Sequence, residues 1–133
     1  MILYKSNAIV QYGPKLKVVA IIDQSISNYY RTLIPKYKNV KAQAYQAHIT
    51  IVRLNKETPL HMEFWGKYQN KNIVFEYSPI IQNDDIYYWL DAYSLDISKI
   101  RMELGLSEYR DDTKFGGLKR NSYHITIANT KNL

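Results

Sequence analysis

The chain has 133 residues, 46% of them hydrophobic and 23% charged, with no cysteine and a formal net charge of +6. That composition describes one domain, residues 1–133, with enough apolar material for a core and with no disulfide framework or thiolate chemistry. No apolar run approaches the ~18–20 residues needed to cross a bilayer. The first six residues lack a basic region ahead of a long apolar segment, so no signal peptide is expected and a cytoplasmic location is.

The charge is uneven. Residues 1–60 carry nine Lys/Arg against Asp23 and Glu57, a net of +7, while residues 61–133 carry nine against ten acids, a net of −1. The N-terminal half is either the face for an anionic ligand or a solubilising surface. Thirteen tyrosines suit both a core and the stacking of nucleobases.

In chain order, residues 8–12 read as a strand ended by Gly13-Pro14. Residues 17–22 read as a second, so continuously apolar that burial on both faces is expected. Asp23 or Ser25 caps a helix over about 25–34, whose apolar positions Ile26, Tyr29, Tyr30, Leu33 and Ile34 follow helical spacing, and Pro35 stops it. A basic connection leads to a strand over 48–52. Residues 55–72 fit a short helix, a strand or both. Residues 72–77 form a strand, with a brief edge at Ile80-Ile81, and 86–94 an aromatic strand. Ser94 or Asp96 caps a second helix over about 96–104 with Ile97, Ile100, Leu104 and the stem of Arg101 inward, and Gly105 ends it. A polar loop precedes the last strand, 123–128.

One tetrapeptide occurs twice, His48-Ile49-Thr50-Ile51 and His124-Ile125-Thr126-Ile127. Side chains alternate along a strand, so His48, Thr50 and Val52 share one face and Ile49 and Ile51 the other. His124, Thr126 and Ala128 likewise oppose Ile125 and Ile127. Strand, helix, loop and motif strand recur in the same order in both halves. A duplication of about 76 residues sets the two histidines across a shared groove.

Two His-x-Thr motifs on matching strands, some eighty residues apart in a small α+β chain, resemble the two-histidine (LigT-like, or 2H) phosphoesterase superfamily. Its members include RNA cyclic phosphodiesterases and phage enzymes that degrade the cyclic nucleotide signals of the CBASS defence system. The resemblance runs from about residue 8 to 130, and the chain's small size, its Lys, Asn and Ile content and Tyr-Trp-Leu-Asp ahead of the second helix are similar to small phage-type members. It implies an α+β fold of two pseudo-symmetric, four-stranded-like antiparallel lobes, helices outside and a cleft between. It implies a hydrolase acting on a cyclic oligonucleotide, as in phage counter-defence, or on a 2′,3′-cyclic phosphate or 2′,5′ linkage of RNA, in the host cytoplasm if phage-encoded.

The residues support that chemistry by themselves. Phosphodiester cleavage needs a base for the attacking oxygen and an acid for the leaving one. Two imidazoles near neutrality supply both, so His48 and His124 are the catalytic pair, with neither yet assigned as acid. Thr50 and Thr126 hydroxyls donate to the phosphate. No cofactor, metal or obligatory protein partner is required, and no membrane association is expected. Candidate substrate contacts are Tyr12, Ser122, Phe115, Lys119 and Arg120, the last three from the basic, glycine-containing loop 114–120. That loop reads equally as a plain flexible connection. Tyr123 is expected on the core side of its strand, and His61 at the surface. Arg53 falls on the isoleucine face by strict alternation unless a bulge turns it. A non-catalytic module that sequesters a nucleotide is the alternative from outside enzymology.

Overall fold

The computed structural model describes residues 2–54, 56–108 and 123–131. Six antiparallel strands close into a ring, in the order β1 (Tyr4–Gly13), β2 (Lys17–Ile21), β3 (His48–Val52), β6 (Tyr123–Asn129), β5 (Tyr87–Tyr93), β4 (Asn72–Asn83) and back to β1. Helix α1 (Gln24–Thr32) joins β2 to β3, and α2 (Leu95–Glu103) precedes the segment leading to β6. Each half of the chain is thus strand, strand, helix, strand. The repeated order of elements read from the motifs extends to β1 and β4. Each half contributes three strands, where four-stranded lobes were expected, and the β3–β6 and β1–β4 pairings join the halves into one sheet.

The helices start where local chemistry places them. Asp23 Oδ1 accepts from Ser25 N–H at 2.9 Å, and Ser94 Oγ accepts from Ile97 N–H at 3.2 Å, each satisfying a first-turn donor that has no partner inside the helix. Ser94 also donates to the Val74 carbonyl and Asp96 accepts from Val74 N–H, which ties α2 to β4. Gly105, at φ +79°, closes α2. Its N–H reaches Met102 O, and Leu106 N–H reaches Arg101 O, the left-handed cap that glycine makes cheaply. On α1 the inward positions are Ile26, Ser27 and Tyr30, and Ile34 is buried just past its end, whereas Tyr29 and Leu33, expected inward, are more than half exposed.

One core cluster unites the helices with one face of the sheet: Val10, Ala20, Ile49, Ile51, Ile125 and Ile127 are all fully buried with Ile97, Ile100 and Leu104. The second strand is not buried on both faces. Val18 and Ala20 are in the core, while Val19 and Ile21 are half-buried on the other side, where they pair with Thr50 and His48. Strand β4 continues through the brief edge expected at Ile80-Ile81. Its register against β5 shifts between Tyr77 and Ile81, the stretch that holds Pro79, whose missing N–H suits an interrupted ladder. Residues 55–72, left open by the sequence, contain a single 3-10 turn at Met62–Phe64 and no strand before β4 among the described residues.

Candidate functional site

The motif strands meet directly. Ile49 of β3 pairs with Ile125 of β6 in antiparallel register, both fully buried. One residue outward from that pair, His48 stands opposite Thr126 and Thr50 opposite His124. All four lie on the face away from the isoleucines, and all four are half-buried. In a regular ladder, residues diagonal to one another, as the two histidines are, lie about 7–8 Å apart. The two imidazoles therefore spring from neighbouring backbone positions on one face of the sheet.

Both strands carry the same irregularity at the same place. Against β2, Val19 pairs with Thr50 but Val18 with Val52, so Ile51 is an extra residue. Against β5, Trp89 pairs with Thr126 but Tyr88 with Ala128, so Ile127 is extra. Such a bulge turns the following side chain over. Val52 and Ala128, expected beside the threonines, are instead fully buried in the core. Each motif face therefore narrows to one imidazole and one hydroxyl.

His48 has a defined tautomer. Its Nδ1 lies 2.7 Å from the Gln46 carbonyl oxygen, which can only accept, so Nδ1 carries the proton and Nε2 the lone pair in the neutral ring. Gln46 in turn donates to Ile22 O, and Gln24 accepts from Ala47 N–H. These two bonds hold the entry to β3 against the end of β2.

Sequence reasoning missed the contribution of β5. Asp91 pairs in register with His124, and Trp89 with Thr126, so both share the motif face. Trp89 is buried, and its Nε1–H donates to Asp91 Oδ1 at 3.2 Å. The Tyr-Trp-Leu-Asp string was visible in sequence, but its register against β6 was not.

Of the other candidates, Tyr12 is not at the site. It lies on the Val10 side of β1, edge-on to Trp65 at 5.1 Å, and its hydroxyl oxygen accepts from Tyr68 N–H. Burial raises its pKa, in part offset by that bond. Ser122, Phe115, Lys119 and Arg120 lie outside the described residues. His61 is exposed, 3.6 Å from Glu63. Arg53 lies beyond the bulge, its Nε 3.6 Å from Glu57 Oε1. Tyr123 points to the core, with its hydroxyl 3.0 Å from Ser98 Oγ.

A hollow of about 480 Å³ opens beyond Asp91, lined by Lys5, Val74, Glu76, Tyr93, Ser94 and Asp96, and its carboxylates do not suit a phosphate. A second, of about 460 Å³, is lined by Arg31, Lys36 and Lys41 with no acid, and exposed Tyr37 stands beside it in the chain. These basic residues belong to the N-terminal half, which carries the excess of positive charge. Among the described residues no group of three or more His, Cys, Asp or Glu side chains converges as a metal site would require, and no helix is long and apolar enough to cross a membrane. No family model, curated protein or solved structure matches the chain.

Proposed function

We propose that the chain is a metal-independent phosphodiesterase of the two-histidine type. The observation that carries this reading is the register of β3 against β6, which sets each histidine opposite the other motif's threonine on one half-buried face. One imidazole takes the proton of the attacking oxygen as the new P–O bond forms. The other gives a proton to the oxygen that leaves as the old P–O bond breaks. Thr50 and Thr126 hydroxyls donate to the non-bridging oxygens, where negative charge collects.

The substrate proposed is a cyclic oligonucleotide signal opened to a linear product, as a phage counter-defence enzyme would do in the host cytoplasm. A small ligand fits a chain of modest charge better than a long nucleic acid does. The second reading, an RNA end bearing a 2′,3′-cyclic phosphate or 2′,5′ linkage, draws on the basic hollow at Arg31, Lys36 and Lys41 with Tyr37 beside it, a combination that suits single strands.

The test is product analysis by mass spectrometry across cyclic dinucleotides, cyclic trinucleotides and 2′,3′-cyclic nucleotides, with and without EDTA. Turnover that persists in EDTA and falls at least ~100-fold in His48→Ala and in His124→Ala is expected. Tight binding with no turnover, unchanged in the double variant, identifies a sequestering module and overturns the proposal. Loss of activity in EDTA that a divalent ion restores overturns the metal-free mechanism.

A further inference from the structure

The two motif strands are equivalent in register, in bulge and in sequence, yet their neighbours differ. On β2 the residue paired with His48 is Ile21. On β5 the residue paired with His124 is Asp91. The bulges confirm the equivalence: Val19 opposes Thr50 as Trp89 opposes Thr126, and two residues further along come Ile21 and Asp91. One imidazole thus sits beside an apolar side chain and the other beside a carboxylate.

From this asymmetry we infer that His124 is the general acid, His48 the general base, and Asp91 a positioning residue that holds the proton on His124. The inference rests on the phosphodiesterase reading above and supplies the direction it lacked. Directly opposed side chains in an antiparallel pair have Cβ atoms about 4.5–5.5 Å apart, and a carboxylate at that range favours the imidazolium. Among the described residues, the other titratable groups facing His124 do not reverse this. His48, across β3, repels a second positive charge and so favours one charged ring, not two. Tyr93 is a phenol, neutral near pH 7. Glu76, paired with Tyr93 one strand further on, stands opposite Lys5, so the two charges offset each other. Trp89 fixes the Asp91 carboxylate through its Nε1–H.

His48 is prepared for the opposite task. Isoleucine beside it gives an imidazolium nothing, and the Gln46 carbonyl holds the proton on Nδ1, leaving the Nε2 lone pair to accept. In one turnover His48 Nε2 takes the proton of the attacking hydroxyl or water as the P–O bond forms. His124 passes its proton to the departing alkoxide. The enzyme is left with His48 protonated and His124 neutral, and exchange with solvent restores the starting state.

Two measurements test the assignment. The first is the titration of the two imidazoles by NMR in the wild type and in Asp91→Asn, a change that keeps the oxygen accepting from Trp89 Nε1–H. His124 is expected to titrate above His48, and Asp91→Asn to lower the His124 midpoint by about one pH unit and to move the His48 midpoint by less. An unmoved His124 midpoint overturns the role of Asp91. The second compares a substrate with a nucleoside leaving group against a p-nitrophenyl phosphodiester, whose phenolate departs without an acid. His124→Ala should lose at least ~100-fold on the first and roughly tenfold or less on the second, whereas His48→Ala should lose equally on both. The reverse pattern overturns the assignment. Because titration needs no turnover, a shifted His124 midpoint in a protein that cleaves neither substrate supports the asymmetry and overturns only the phosphodiesterase reading.

Discussion

Arg101→Met removes a buried side chain that ties α2 to β3 and to Glu57. The Arg101 guanidinium is fully buried. It forms two bonds to Glu57, at 2.6 and 3.0 Å, one to Ile51 O at 2.6 Å and one to Ser107 O at 2.8 Å. The sequence reading placed only its stem inside. Glu57, 11% exposed, is the partner that neutralises it. Burial by itself would push the Glu57 carboxyl up, but the Arg101 bonds, with Arg53 N–H and both arginine charges, hold it below the usual range. Methionine fills the stem's volume and leaves a mostly buried carboxylate with Arg53 as its one remaining described partner, which costs about 3 kcal/mol at pH 7, a large part of a typical domain's stability. In urea the midpoint falls by roughly 2 M. The pH dependence gives the sharper test. A carboxyl lowered in the fold contributes stability that is present above its unfolded value, ~4.3, and is lost as pH falls through the folded one. In the variant only Arg53 is left to oppose burial, the carboxyl loses most of what lowered it, and the deficit shrinks as pH approaches ~4. Adding Glu57→Gln should recover most of the loss. A deficit below about 1 kcal/mol, or one that does not change between pH 7 and 4, refutes the account.

Two further substitutions separate fold from site. Gly105→Ala places a Cβ 2.8 Å from Leu60 Cβ and 2.9 Å from His61 Cδ2 at a positive φ. It should cost about 2 kcal/mol or more, read as a lower thermal midpoint. Thr50→Val and Thr126→Val keep the strand's shape and remove a donor. Each should reduce kcat about 100-fold with the unfolding midpoint unchanged, and an unaltered kcat would exclude that hydroxyl from the phosphate.

Local patterns were sufficient for much of this molecule. Both helices and their caps, the burial of Ile97, Ile100 and Leu104, and the separation of His48 and Thr50 from Ile49 and Ile51 follow from capping chemistry and from periods of 3.6 and 2. Those rules act within a few residues, so the chain itself carries them. The ring of six strands, the pairing of Ile49 with Ile125, the bulges that turn Val52 and Ala128 inward, the reach of Arg101 to Glu57, and Asp91 opposite His124 belong to the tertiary structure alone. Each depends on which residues of distant strands stand opposite, and a slip of one position would reverse every face without changing any local preference.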